Sequence, residues 1–389
     1  MKKVYLDHNA TTPVHPEVFE AMKPYFTETF GNPSSVHEFG RKGRVAIEKA
    51  RQQIASLINC APEEIIFTSG GTESDNTAIK GAAWANINKG KHLITSAVEH
   101  HAVLESCNHM IDHGFEVTVL KPDGHGFISP GDLQKAIRPD TVLVTIIHAN
   151  NETGTIQDIP ALAEVARQSD VLFHTDAVQS TGKIPYKIDE LGVDMLSVSG
   201  HKLYGPKGIG LLYIRRGTDL HKFSHGGSHE NRRRAGTENV PGIIGLAKAF
   251  EIAWRDMQSE TVRLKRMTDN FIAGVQDRID DIHIIGDLTR KVPNTVNIAF
   301  EAVEGESIVL SLDMKGIAVS SGSACSSGAV EPSHVVLAHG IRPDLAQGSI
   351  RFSFGRYSEE NDIDYVLDIL EKEIARLRSI SPFYQSKKH

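Results

Sequence analysis

The sequence predicts an α/β protein: a large domain built on a mostly parallel sheet flanked by helices, joined to a smaller α+β domain. Three observations predict it. Short apolar runs alternate with helical patterns between Ile65 and Ile214, the order that gives parallel strands with helices on both faces. At 389 residues the chain exceeds the usual single domain of about 50 to 250 residues. Polar side chains stand at the carboxyl ends of the expected strands, where ligands of such sheets bind.

The chain opens with a short extended arm and the polar turn Ala10-Thr11-Thr12-Pro13, before a helix beginning near Pro16. Gly31-Asn32-Pro33-Ser34-Ser35 interrupts the pattern. Ile47, Ala50, Ile54, Leu57 and Ile58 recur at helical spacing, which predicts a helix from Glu38 to Ile58. Ile65 to Thr68 reads as a buried strand running into Ser69-Gly70-Gly71-Thr72-Glu73 and a helix to about Asn86. Further strands are expected at His92 to Ala97, Phe115 to Leu120, Thr141 to Ile147, Val171 to Thr175, Asp194 to Val198, and from Gly210 to Ile214. Helical patterns from about Val240 to Asp281 form the bridge to the second domain. There, Thr295 to Phe300 and Ile350 to Phe354 read as extended, Gly305 to Met314 as helical. A last helix from about Glu359 carries Ile363, Val366, Leu370, Ile374 and Leu377 on one face. The expected division is 16–258 for the large domain, with 1–15 and 259–389 forming the small one.

A net charge of -7 gives no general attraction for nucleic acid or anionic membrane, although Arg232, Arg233 and Arg234 make one local basic cluster. The amino-terminal stretch lacks the apolar run of a signal peptide and no segment is long enough to span a bilayer, so a soluble cytoplasmic protein is expected. The three cysteines, Cys60, Cys107 and Cys325, include no C-x-x-C pair, which argues against a disulfide framework or a thiolate zinc site. Cys60 and Cys107 fall in or near helical patterns and read as core thiols.

The stretch from Ser197 to Gly210 centres on Lys202, at the end of an expected strand and among glycines that let a ligand approach the backbone. Gly200 and Gly205 have the glycine spacing of a P-loop, but Pro206 occupies the place of its lysine, so no nucleotide triphosphate site is indicated. The glycine turn at Gly70-Gly71-Thr72 is a candidate anion site, because a helix amino terminus carries about half a positive charge and free N–H groups. Its plain alternative is a helix cap by Ser69 or Thr72. Glu99-His100-His101, His148-Ala149-Asn150-Asn151-Glu152 and His174-Thr175-Asp176-Ala177-Val178-Gln179 end three other strands. His101, His174 and His334 are as well read as structural as chemical. In Ser320-Ser321-Gly322-Ser323-Ala324-Cys325-Ser326-Ser327-Gly328 nearly every residue is small or polar, so a mobile loop is expected. A cysteine placed there, rather than in a core, points to use of its reactivity.

Tyr5-Leu6-Asp7 with Asn9-Ala10-Thr11-Thr12, Gly31-Asn32-Pro33-Ser34-Ser35, Phe67-Thr68-Ser69-Gly70-Gly71-Thr72-Glu73-Ser74, the Lys202 segment and the cysteine loop occur in the order found in the NifS-type cysteine desulfurases. The chain resembles that family, within the class V aminotransferase superfamily, over nearly its whole length. The resemblance implies a fold-type I homodimer that binds pyridoxal 5'-phosphate and converts L-cysteine to L-alanine, leaving a persulfide on Cys325. It implies that Lys202 forms the Schiff base and moves the Cα proton, Asp176 holds the pyridine nitrogen, Gln179 bonds the phenolic oxygen, and His100 stacks on the ring and carries a proton for the substrate thiol. The phosphate would be held near Gly71 by Thr72, Ser199 and His201, and by Thr237 of the second subunit. The substrate carboxylate would be gripped by Asn151 and Arg351. Arg356 could serve by spacing, and Arg351 matches the family motif. The sulfur acceptor would be an iron-sulfur scaffold or a protein of tRNA or cofactor thiolation.

A thiol of pKa about 8.5 is only about 3 per cent thiolate at pH 7, and a nearby His or Lys could raise that fraction at Cys325 by lowering its pKa. His8 replaces the asparagine common in the family, and the tail after the last helix is short. Two rival readings are another class V enzyme, such as a selenocysteine lyase or aminotransferase, which need not require Cys325, and a non-catalytic sulfur-carrier scaffold.

Overall fold

The computed structural model describes residues 2–322 and 331–385, so Cys325 and the part of its predicted loop from residue 323 onward lie outside the described residues. In chain order the strands are β1 (Val4–Tyr5), β2 (Ile65–Thr68), β3 (His92–Ser96), β4 (Glu116–Leu120), β5 (Thr141–Thr145), β6 (Leu172–Asp176), β7 (Met195–Ser199), β8 (Gly210–Ile214), β9 (Ile282–Ile285), β10 (Thr295–Phe300), β11 (Ile317–Ala318), β12 (Ser320–Ser321) and β13 (Ser349–Ser353). Seven of them form one sheet in the order β2-β8-β7-β6-β5-β3-β4. Its strands are apolar and mostly buried on both faces, as sheets sandwiched between helices require.

This sheet is mostly parallel, as expected, but β8 runs antiparallel to both β2 and β7. The cause is the Lys202 segment itself. It links β7 to β8 through residues 200–209, too short a connection for the crossover that a parallel pair needs, so the two strands pair antiparallel.

The helix Glu38–Ile58 is capped by His37, whose Nδ1 accepts the Gly40 N–H at 3.3 Å, and ends at Asn59 in the left-handed region. It packs its Ile47, Ala50 and Ile54 face into the core that also holds Ile243, Leu246 and Phe250. Those last three belong to the helix Val240–Arg278, capped by Asn239 on the Gly242 N–H at 3.1 Å. At 1.5 Å per residue its 39 residues extend about 58 Å. Its second half places Leu264, Met267, Phe271 and Val275 in a different core with Val296, Ile298, Ile350, Phe352 and Phe354. One helix thus joins both cores.

The second core is built on an antiparallel sheet, β12-β13-β10-β9, covered by the helices Gly305–Asp313 and Glu360–Ile380. β9 and β12 depart from the sequence reading. Ser320 and Ser321 pair with Arg351 and Ile350, so the start of the expected loop is extended, its small side chains compensated by backbone pairing. The amino-terminal arm joins this side: β1 pairs in parallel with β11, and Asp7 bridges to Ser353. No helix among the described residues is long and apolar enough to cross a membrane.

Candidate active site

Carboxyl ends of the large sheet converge on a cavity of about 340 Å3. Asp176 ends β6 and Ser199 ends β7, and the chain turns through Gly200–Lys202 to present Lys202. His100 follows β3, Asn151 follows β5, and Gly71 and Thr72 open the helix Gly71–Ala85 after β2. The arm adds Asn9 and Ala10, β13 adds Arg351, and Asp75, Gln179 and His201 complete the wall. Ten of the residues expected from the sequence fall here together: Lys202, Asp176, Gln179, His100, Gly71, Thr72, Ser199, His201, Asn151 and Arg351.

The Lys202 amine donates to the carbonyls of Ala10, at 2.7 Å, and of Asn9. Burial, and then the Arg351 charge, push its pKa down to about 8 against the opposing pull of Asp176 and Asp7. A lysine of pKa 8 is about 10 per cent neutral at pH 7, against about 0.03 per cent for an ordinary one. Asp176 accepts the Val178 N–H at 2.8 Å, and burial raises its carboxyl above the ordinary range while Lys202 opposes. Behind it, the buried Asp75 is raised further, by burial first and by Asp176 second.

The helix Gly71–Ala85 carries no side-chain cap: its N-cap is Gly70, at φ 151. The alternative of a cap by Ser69 or Thr72 therefore fails. The Ser69 N–H is instead taken by Glu73, at 2.8 Å. A Cβ at Gly71 would lie 2.8 Å from Val178, so only glycine fits this wall. An uncapped helix terminus beside Thr72, Ser199 and His201 is a cradle suited to a phosphate. His201, bonded through Nδ1 to Thr11 Oγ1 at 3.1 Å, is pushed down to about 4, chiefly by burial and then by Lys202. Thr237 lines a neighbouring cleft with Ser69, Arg234 and Glu238, outside the main cavity.

His100 accepts the Ala102 N–H at Nδ1, 3.1 Å, which makes Nε2 the protonated nitrogen of the neutral ring. The residue is open to the cavity, yet the surrounding protein pushes its pKa to about 4, with Lys202, His101 and His334 adding to the shift. Arg351 donates to Asp7 at 2.7 Å and to the Asn151 carbonyl at 3.0 Å. Arg356 does not line this cavity and is paired with Asp256 at 2.8 Å, whereas Arg351 lines it. Arg234 of the basic cluster pairs with Glu73 at 2.6 Å.

His174 is a sheet residue, bonded to Thr145 at 2.8 Å and Ser197 at 2.9 Å. His334 donates to the Glu99 carbonyl at 2.9 Å and packs its ring 4.8 Å from His101. His8 is buried, donates from Nδ1 to the Ser353 carbonyl at 3.0 Å and meets Tyr5 edge-on. Its ring packs against Gly355, where a Cβ would have no room. Cys107 is a core thiol and Cys60 sits at the core margin, both pushed to about 12 chiefly by burial. Sequence reasoning missed Asp7, Asn9 and Asp75, although the first two stand inside a quoted motif.

An amine of depressed pKa, a buried carboxylate and an uncapped helix terminus on one cavity fit pyridoxal phosphate. Asn151 Oδ1 and Arg351 Nε, buried without a hydrogen-bond partner among the described residues, leave polar capacity for a substrate. Comparison with known proteins agrees. Residues 4–366 match the family model described as Aminotransferase class-V. The chain is 56% identical over 387 residues to the cysteine desulfurase IscS of Dictyoglomus turgidum, covering 100% of this chain and 98% of that one. To the cysteine desulfurase IscS of Methanosarcina thermophila it is 50% identical, covering 98% and 94%. A solved NifS-like protein superimposes with a TM-score of 0.91 at 36% identity, over 97% of this chain and 100% of that one. Another, titled SspA in complex with cysteine, gives 0.81 at 37% identity, over 92% and 100%. The chain belongs to the class-V aminotransferase family and, within it, to the NifS-type cysteine desulfurases, which are pyridoxal-phosphate enzymes.

Proposed function

We propose that the protein converts L-cysteine to L-alanine and that Cys325 receives the sulfur as a persulfide. The convergence of Lys202, Asp176, His100 and Arg351 on one cavity carries this reading. The Cβ–S bond of the substrate breaks, an S–S bond forms to Cys325, and one cysteine and one enzyme thiol become one alanine and one enzyme persulfide. Pyridoxal phosphate, once bound, supplies the electron sink that acidifies the substrate Cα–H.

The chain's own residues do the rest. Lys202 anchors the cofactor and, once displaced by substrate, is a base of pKa matched to neutral pH for the Cα proton. Asp176 offers an anion to the pyridine nitrogen. Gln179 faces the phenolic oxygen, and Gly71, Thr72, Ser199 and His201 hold the phosphate, with Thr237 reaching the site of the partner subunit. Arg351 and Asn151 orient the substrate carboxylate. His100, with Nε2 protonated, is a donor in the resting site and is placed to carry the proton of the substrate thiol. In this reading the enzyme is a cytoplasmic homodimer that passes sulfur to an iron-sulfur scaffold or a thiolation protein.

The test is alanine released from L-cysteine, with persulfide read by mass on the Cys325 peptide, for wild type and Cys325→Ala. Alanine and persulfide in the wild type, both lost in the variant, are expected. Equal alanine from both proteins would remove Cys325 from the reaction and favour a lyase.

A further inference from the structure

A second lysine stands at the site and has no part in the reaction above. Lys183 is partly buried, and its amine donates to Gln179 Oε1 at 2.7 Å and to Asn9 Oδ1 at 2.9 Å. Two acceptors match the two N–H bonds of a neutral amine. Burial, followed by the charges of Lys202 and Arg351, holds its pKa well below the ordinary value. Its other titratable neighbour, His8, is itself pushed to about 4, mainly by burial. Both lysines line a small cavity of about 50 Å3 with His8, Thr12 and Asn294, which has room for water.

A carboxamide can be turned end for end at little steric cost, so its hydrogen bonds select its orientation. At Gln179, Lys183 takes Oε1, while Nε2 donates to the Asn9 carbonyl at 2.9 Å and keeps one N–H for the cavity. Asn9 is pinned in the same way. Its Oδ1 accepts from Lys183 and from Asn294 at 3.2 Å, and its Nδ2 donates to Thr295 at 2.8 Å and to the Asn151 carbonyl at 3.1 Å. The Asn9 carbonyl is also a contact of Lys202.

We propose that Lys183 is a positioning residue whose amine fixes the Gln179 carboxamide with N–H, not C=O, toward the phenolic oxygen of the bound cofactor. Without it only the bond from Nε2 to the Asn9 carbonyl holds this orientation, and the turned amide, with its oxygen toward that site, becomes more populated. This rests on the proposed placement of Gln179 beside the phenolic oxygen. A donor there stabilises the oxygen's negative charge and so lowers the basicity of the Schiff base to Lys202.

The experiment is a pH titration of the visible absorbance of the resting holoenzyme for wild type, Lys183→Met, Gln179→Leu and the double variant. Lys183→Met is expected to raise the midpoint by about one pH unit, tenfold in the protonation equilibrium, the effect of about one hydrogen bond to a charged group. Gln179→Leu should shift it similarly, and the double variant no further. A wild-type midpoint in folded Lys183→Met with a shifted Gln179→Leu would overturn the role of Lys183 alone. An unshifted Gln179→Leu would overturn the placement of Gln179 beneath it. Additive shifts would mean that Lys183 acts by its own charge, which also overturns the proposal. Should Lys183→Met not fold, Lys183→Gln, which keeps one donor, is expected to titrate as wild type, and an upward shift there would count against the proposal.

Discussion

The carboxyl edge of the seven-stranded sheet buries polar and titratable side chains, whereas one face of the four-stranded sheet beside it buries apolar ones. Along the first, Glu99, Asn150, Asp176, Gln179 and Ser199 are buried together with Asp75 of the helix that follows β2. In the second, β10 and β13 bury Val296, Ile298, Ile350 and Phe352 against Phe271 of the long helix. Buried polar groups cost stability unless they are paired, whereas apolar packing supplies it. The large sheet therefore holds the groups that titrate and react. The small sheet is a rigid mount that delivers one charged side chain, Arg351, to the cavity. The alternation of β13 explains how: Ile350 and Phe352 face the core, and Arg351, between them, faces the other way.

The comparison predicts a double dissociation. Lys202→Ala should lower alanine formation from L-cysteine by about 10⁴-fold or more, since it removes both the cofactor's anchor and the base. Its unfolding midpoint in denaturant, measured without cofactor, should be at or above that of the wild type, because a partly buried cation is removed. A cofactor-free Lys202→Ala protein that unfolds well below wild type would break the comparison at its reactive side. Phe352→Ala should do the reverse. Phe352 is fully buried, with its ring 4.8 Å from Phe271, and its loss should cost about 3 to 5 kcal/mol of stability. Alanine formed per folded molecule should stay within a few-fold of wild type. A large drop in turnover in the folded fraction would show that the mount is part of the machinery.

The same contrast explains what could be read in the sequence. The strands of the large sheet and the polar groups at their ends are local patterns, so the segments holding Lys202, Asp176, His100 and Gln179 were legible in the sequence, while the family resemblance singled out these residues within them. Strand direction is not local: a buried apolar run such as Gly210–Ile214 reads alike either way, and the antiparallel β8 was visible only in its pairing. Arg351 and Arg356 could not be separated by spacing, because the choice depends on where β13 ends, at Ser353. Asn9, Asp75 and Lys183 went unseen for a related reason. Their role comes from packing the arm, the helix after β2 and the turn after β6 around one point, and nothing in their own neighbourhoods marks it. Ser320 and Ser321 read as loop because small polar residues bury little, and they are strand only by pairing with β13.

The smallest expected effect sharpens the comparison by pH. Glu99 is fully buried at the reactive edge. Its Oε1 accepts from Ser96 Oγ at 2.5 Å and from the Ile147 N–H at 2.9 Å, while Oε2 has no hydrogen-bond partner among the described residues. Burial, with a smaller push from Asp176, raises its pKa from 4.5 to about 8 against those two hydrogen bonds. Between these values the native protein holds a proton that the unfolded chain has lost. The contribution of Glu99 to stability is therefore fully present below pH 4.5 and declines as pH rises toward 8, by up to about 1.4 kcal/mol per pH unit for one proton. Glu99→Gln keeps the acceptor at Oε1 and cannot ionise, so it lacks this decline. Urea unfolding of both proteins at pH 5, 6, 7 and 8 should show the variant gaining on the wild type by about 2 kcal/mol between pH 5 and pH 7. A difference that stays flat across this range would mean that Glu99 is ionised in the native protein near pH 5. The reactive edge would then hold its charges in pairs, as an ordinary surface does, and its distinction from the small sheet would be one of composition alone.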